Sequence, residues 1–317
     1  MSQFDIACVG DAKIDQFLFL HEASSHLKLN KETNELCLKY GEKIPVDDLK
    51  ICLGGDGANV AVGLARLGLS TSLIAELGDD EFSQIIKDGL KKENIDLTFA
   101  KQITGKTSTS IIISFQNERT ILSQHIKRGH NFEIDNLETK WIYLTSLGAE
   151  WELTYQKIYE FSKQKGVKLA FNPGTLQIDE GLKKLKNILT ITDILFLNKE
   201  EATKILRIND KGLMINDLLN GLKQLGPKTV IITDGKNGSY AIDENGKILF
   251  QAIIPTEIIE KTGAGDAYAS GFLAASLSNL PIQTAMKWGT LNACGTMSAV
   301  GAQNGLLSRE KMEALNA

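Results

Sequence analysis

Lys261-Thr262-Gly263-Ala264-Gly265-Asp266-Ala267 runs straight into YASGFLAASLSN and breaks before Pro281. The second part is rich in Ala and Leu and predicts a helix, with the glycines at its N-terminus. Backbone N–H groups point free at such an end, and the helix dipole favours an anion there. Glycine lets the chain approach a phosphate closely. Asp266 then has two readings, helix cap or catalytic carboxylate, and the stretch alone leaves both open. A second stretch repeats the device: Gly54-Gly55-Asp56-Gly57-Ala58-Asn59-Val60-Ala61, continuing to Leu67-Gly68. Asp56 and Asn59 carry donors and acceptors suited to sugar hydroxyls. Either glycine alone also suits a capped, tightly packed helix.

Working outward, short apolar runs alternate with amphipathic segments. Strands are predicted at Phe4–Val9 (stopping at Gly10), Leu73–Leu77, Trp141–Thr145, Val167–Asn172, Asp193–Leu197 and Thr229–Thr233. Helices are predicted over 57–67, ended by Gly68, and over 81–92. This rhythm predicts an α/β fold whose mostly parallel sheet is flanked by helices, with ligands at the carboxyl ends of the strands. Two stretches break it. Residues 12–53 are polar and strand-like in pieces (Glu35–Tyr40, Lys43–Val46). Residues 106–123 alternate as TSTSIIISF, with a turn at Gln116-Asn117-Glu118. Both read as hairpin material, either a small β-sheet lid over a cleft or surface hairpins without function. No repeat or interdomain linker interrupts residues 1–317, so one domain is expected.

Several function classes fall away. The formal net charge is -4, with 43% hydrophobic and 23% charged residues. No basic field exists to hold a phosphate backbone, so nucleic acid is not an expected partner. The longest apolar runs, such as Ile111-Ile112-Ile113, are far short of a bilayer span, so no membrane partner is expected either. The N-terminal MSQFDIACVGDAKID lacks a basic stretch followed by an apolar one, which predicts no secretory leader and a cytoplasmic protein. Cys8, Cys37, Cys52 and Cys294 are scattered and read as free thiols. Gly105-Lys106-Thr107 resembles the end of a P-loop, but Ala100 stands where the first glycine belongs. His21 and His26 stand five apart and share no helix face, which argues against zinc. No GxGxxG opens a helix, so a dinucleotide enzyme is disfavoured.

Taken together and in order, these motifs resemble the signatures of the ribokinase-like (PfkB) carbohydrate kinase family over essentially the whole chain. Gly10…Asp15 is similar to the family's substrate-binding opening. Arg119-Thr120 with Arg128-Gly129-His130-Asn131 is similar to its RT…RGxN stretch. Asn198-Lys199-Glu200-Glu201 resembles NxxE, Thr233-Asp234-Gly235-Lys236-Asn237-Gly238 the TxGxxG nucleotide loop, and Gly301-Ala302 a late GA element. The resemblance implies a ribokinase-like fold with a β-lid built from parts of 12–53 and 106–123. It also implies ATP and Mg²⁺ as cofactors, and a sugar or nucleoside as the small-molecule partner. Asp266 would be the catalytic base, with Gly263, Ala264 and Gly265 as the anion hole. Asp15, Gly54, Gly55, Asp56 and Asn59 would hold the substrate. Asn198, Thr233, Gly235, Gly238, Gly265 and Asn292 would line the nucleotide site, and Asn198 with Glu201 would organise magnesium through water. Glu260, Thr262 and Gly301 mark a candidate monovalent-cation site. Subunits would pair as a homodimer through the lid.

Departures stand beside the resemblance. Lys13 occupies a position that is often Asn. Glu260 stands where potassium-activated members often have Asp, and Gly305 where they have a small hydroxyl residue. Asn292 lies nine residues before Gly301, a short spacing. Thr145-Ser146-Leu147-Gly148 lacks the SLPPG run of sugar-phosphate members. The leading reading is therefore a kinase of a small neutral sugar. Lys13 leaves open a sugar acid, whose carboxylate an ammonium could meet. The alternatives are a nucleoside kinase of the same family and a non-catalytic ligand-binding relative. ATP turnover across a sugar and nucleoside panel separates them.

Overall fold

The computed structural model describes residues 3–21, 24–33, 35–116, 118–124, 126–207 and 214–316; Asn117, in the expected turn, lies outside them. The central sheet has eight strands. In spatial order they are Ile248–Gln251, Ser239–Ile242, Thr229–Thr233, Ile194–Asn198, Lys168–Phe171, Thr139–Leu144, Phe4–Val9 and Thr71–Ile74. Pairing is parallel from Thr229–Thr233 through to Thr71–Ile74, and antiparallel for the two strands at the other edge. This is the expected α/β architecture.

Side chains alternate across a strand, and here that alternation sorts two cores. Cys8, Tyr143, Ala170, Phe196 and Ile231 point to one face, against helices Asp56–Arg66, Ala264–Leu277 and Ile282–Met297. Val9, Leu144, Phe171, Leu197 and Ile232 point to the other, with Trp151, Leu185 and Leu219 from the helices that cover it. Each fully buried Val, Leu, Ile or Phe among them contributes about 1.5–3 kcal/mol relative to exposure. Helix Ala264–Leu277 is apolar nearly all round and buried from Asp266 to Ala275, as a helix without a polar face must be. Phe272 anchors it, its ring 5.4 Å from that of Phe196.

Small residues bring helix Ala264–Leu277 against the helices on both sides of it, Asp56–Arg66 and Ile282–Met297. A Cβ on Gly63 would meet Ser270 Oγ at 2.3 Å, and one on Gly271 would meet the Trp288 carbonyl oxygen at 2.6 Å. The chain also leaves the sheet at a crowded point. A Cβ on Gly10 would lie 2.4 Å from Thr145 Cγ2, with the Gly57 backbone 3.0 Å away.

From Gly10 the chain crosses to a separate four-stranded sheet, ordered Glu118–Gln124, Thr109–Phe115, Lys13–Leu20, Val46–Gly54. Lys13–Leu20 pairs parallel with Thr109–Phe115 and antiparallel with Val46–Gly54. Asp15, Ser110 and Cys52 share one face; Gln16, Ile111 and Ile51 share the other. A two-stranded hairpin, Leu27–Asn30 with Glu35–Leu38, sits between the long strands. Two expectations need correction. The strand expected at Lys43–Val46 begins only at Val46, after a turn through Gly41 at φ 77°. Leu73–Leu77 is not one strand: Thr71–Ile74 belongs to the central sheet, whereas Glu76–Leu77 leaves it to pair with Lys101–Gln102.

Candidate active site

Parallel strands end together, so Asp11, Thr145, Ser146, Asn172, Asn198 and Thr233 all gather at the carboxyl edge of the sheet. Two cavities open there. One, of about 650 Å³, is lined by Thr233, Gly235, Gly238, Ala264, Gly265 and Tyr268, with Ile254 and Met297 as apolar walls. The other, of about 560 Å³, is lined by Asp11, Lys13, Asp56, Ser146, Asn172 and Glu201.

Helix Ala264–Leu277 starts from Gly263 in the left-handed region (φ 78°), with no side chain capping its first N–H groups. The cap reading of Asp266 therefore falls. Its carboxylate turns to the neighbouring helix, where Asn59 Nδ2 donates to Oδ2 at 2.9 Å. Gln303 Nε2 in turn donates to Asn59 Oδ1 at 3.0 Å, which fixes the amide so that its NH₂ faces Asp266. Arg66 holds the Gln303 carbonyl through Nη1 at 2.7 Å and is itself paired with Glu93. Burial pushes the Asp266 carboxyl well above the usual carboxylate range, and the Asp56 charge pushes it further; the Asn59 donor and Lys13 pull the other way.

Asp15 is 3% exposed and its Oδ1 has no hydrogen-bond partner. Burial raises its pKa, opposed by Lys13 and a hydrogen bond from Ser110. Asp56 accepts a hydrogen bond from Ser146 Oγ. Gly54 and Gly55 act by omission. A Cβ on Gly54 would strike Asp15 Oδ2 at 2.1 Å, and one on Gly55 (φ 96°) would strike the Asp11 carbonyl oxygen at 2.4 Å. They let strand Val46–Gly54 lie against the residues that face the cavity.

Asn198 and Glu201 form a capping box on helix Lys199–Leu206. Asn198 Oδ1 accepts from Glu201 N at 2.8 Å, and Glu201 Oε2 accepts from Asn198 N at 2.9 Å. Glu201 also reaches the second cavity, and burial raises its pKa to about 7. Gly235 (φ 49°) and Gly238 (φ 90°) bracket the short helical turn after Thr233.

Asn292 requires correction. It is fully buried, donating to the Ala267 carbonyl and to Ser270 Oγ (both 3.0 Å) and accepting from Leu307 N at 2.9 Å. With its amide spent inside the helix packing, it is turned away from the first cavity. Thr290, Ala293, Cys294 and Met297 of the same helix face that space instead.

Glu260, 7% exposed, accepts from Thr262 N at 2.7 Å and from Thr262 Oγ1 at 2.8 Å. Arg119 Nε, from the outer strand of the small sheet, lies 3.4 Å from its Oε1. Gly301 (φ 93°) packs against Cys52, which leaves no space for a side chain. Reading the sequence missed Gln303, Ser146, Asn172 and the partnership of Arg119 with Glu260. Ser146 and Asn172 follow predicted strands, so the carboxyl-edge rule alone would have found them. The other two depend on contacts between distant segments.

An anion cradle at a helix start, beside a buried carboxylate and between two cavities, has the layout of a group-transfer enzyme. The comparisons specify it. The model of the pfkB family of carbohydrate kinases matches residues 5–309. Ribokinase of Haemophilus influenzae is 28% identical over 292 residues, covering 86% of this chain and 90% of its own. Adenosine kinase from Sinorhizobium meliloti superposes with a TM-score of 0.82 at 19% identity, covering 100% of both chains. Arabidopsis thaliana ribokinase, solved with ribose and ATP, gives a TM-score of 0.79 at 20% identity, covering 100% of this chain and 99% of its own. The chain belongs to the pfkB family of carbohydrate kinases and is a phosphotransferase.

Proposed function

We propose that this kinase transfers the γ-phosphate of ATP to a hydroxyl of a small neutral sugar, with Mg²⁺, in the cytoplasm. The observation that carries this reading is the placement of Asp266. Its neighbour Gly265 lines one cavity, while two of the groups acting on its charge, Asp56 and Lys13, line the other. The larger cavity, with its uncapped helix start and apolar walls, takes the nucleotide. The smaller, more polar cavity takes the sugar.

Asp266 accepts the proton of the attacking hydroxyl as the O–P bond forms, a contribution of about 10²–10⁴ in rate. A carboxyl raised by burial is a stronger base once ionised, and the Asn59 donor and Lys13 favour that ionised form. The free N–H groups after Gly263 receive the phosphate charge, each such donor being worth about 10²–10³. Asp15 Oδ1, buried without a partner, and Asp56 offer acceptors to sugar hydroxyls. We read the small sheet as the lid, because Lys13 at the start of its strand Lys13–Leu20 lines the sugar cavity.

Magnesium neutralises charge on the nucleotide phosphates. It is bound through one or two carboxylates, waters and substrate phosphates, so a single carboxylate such as Glu201 suits it. Glu201→Gln should raise the Mg²⁺ concentration needed for half-maximal rate about tenfold or more, since a carboxylate that orients metal-bound water is typically worth 10–100-fold. Superimposable Mg²⁺ titrations would remove Glu201 from this role.

Among the described residues, the sugar cavity has no aromatic side chain in its wall, which disfavours stacking of a nucleobase. The experiment that tests the substrate is ATP turnover across neutral sugars, sugar acids and nucleosides. Neutral sugars should lead, with Lys13→Ala changing KM only a few-fold, about 1 kcal/mol or less. Turnover confined to sugar acids and abolished by Lys13→Ala would give Lys13 a carboxylate to bind. The lid's outer face exposes Leu49, Ile51, Ile111 and Leu122, an apolar patch that supports pairing of two subunits through it. Sedimentation velocity should show a dimer, and Ile51→Lys should give a monomer.

A further inference from the structure

We propose that the Arg119 guanidinium serves as a built-in cation at the anion-hole loop, taking the place of a bound monovalent ion. Glu260 immediately precedes that loop. Both its oxygens are spent on Thr262, one on the backbone N–H and one on the hydroxyl, and this sets the entry into Gly263-Ala264-Gly265. A carboxylate buried to this degree needs a positive partner. The residues here do not fit a free ion in that role, because Arg119 already approaches Oε1 to 3.4 Å. Its Nε is buried and has no hydrogen-bond partner among the described residues, so the ion pair with Glu260 is the polar contact it makes there. Guanidinium is always charged and weakly hydrated, so it tolerates this setting better than ammonium. A second cation on the same carboxylate would be repelled by the first.

A parallel contact supports the assignment. Lys261, the next residue along, pairs with Glu118 at 2.6 Å, so two adjacent ion pairs run between one lid strand and the loop. The lid hairpin is thereby tied to the phosphate cradle. Arg119 acts through Glu260 and Thr262 and is a positioning residue.

The test uses the full chain in choline chloride, with KCl replacing it at a constant ionic strength of about 0.1 M. The wild-type rate should change less than about twofold across the series. Arg119→Met should lose about tenfold or more in kcat without potassium, as a preorganised cradle loosens. Potassium or guanidinium ions should restore much of that loss, and Arg119→Lys should keep most activity. The Tm of Arg119→Met should rise with KCl over choline chloride, by binding linkage, whereas that of the wild type should not. If Arg119→Met does not fold, Arg119→Met/Glu260→Gln, which buries no unpaired charge, should fold and ignore potassium. Potassium activation of the wild type, or an Arg119→Met whose rate and Tm ignore every small cation, overturns the proposal, as does a potassium requirement in the double variant. The proposal rests on the kinase reading of the loop; because the thermal measurement needs no substrate, its failure is distinguishable from failure of that reading.

Discussion

Asp266→Asn should fold, bind ATP and lose about 10²–10⁴ in kcat, the worth of a positioned general base. The variant keeps the shape of the side chain, and its amide oxygen can still accept from Asn59 Nδ2, the bond that joins the two glycine-led helices at this point. What it lacks is a site for the sugar hydroxyl's proton. Stability supplies a second, independent readout. The Asp266 pKa is raised in the folded state, chiefly by burial. Its ionisation therefore opposes folding at any pH above the unfolded value of about 3.9. Asparagine removes that opposition. The Tm of Asp266→Asn should equal or exceed that of the wild type at neutral pH, and the difference should vanish as pH falls below about 4, where the aspartate is neutral in both states. A cap would behave oppositely, costing about 1 kcal/mol with activity intact. Near-wild-type turnover, or a lower Tm at neutral pH, would remove Asp266 from the chemistry.

Gly265→Val should abolish most ATP-dependent turnover while leaving the fold in place. Beyond its own helical turn and chain neighbours, no atom lies within 4 Å of a Cβ built on Gly265, which sits in the first helical turn and lines the larger cavity. A valine there is a better helix former than glycine by a few tenths of a kcal/mol, about 0.3, and would project into the space proposed for phosphate. The expected result is a loss of at least about 10² in kcat/KM for ATP, the scale of one lost preorganised contact. The Tm should stay within a few degrees of wild type. Gly263→Val is the contrasting control. Gly263 has φ 78°, and its Cβ would meet Ala302 Cβ at 2.4 Å, so that variant should lose about 1–3 kcal/mol from backbone strain alone. An unchanged KM for ATP in Gly265→Val would move the triphosphate elsewhere.

The two glycine-led helices show where legibility ended. Gly263 and Gly265 were readable as a helix start suited to an anion, and Asp266 as a residue of its first turn, because free N–H groups and a missing Cβ are local properties. Whether Asp266 capped its own helix or faced another was not local. That choice depends on Gly63, whose lack of a side chain lets helix Asp56–Arg66 close on Ser270 of helix Ala264–Leu277 and brings Asn59 to Asp266. Asn292 failed for the same reason. The family resemblance implied a nucleotide contact in spite of its short spacing to Gly301, but helix packing turned its amide to Ala267, Ser270 and Leu307.

By itself, then, the order of amino acids determined the α/β class, the strand rhythm, the glycine-led helix start and the family, since periodicity, backbone freedom and motif order are written along the chain. Only the tertiary structure decided that Gln303 orients Asn59, that Asn292 looks inward, and that Arg119 from the small sheet lies against Glu260. Those contacts join segments far apart in the chain. Which buried polar group finds which partner depends on how closely the helices and the small sheet pack, and no local property of the chain specifies that.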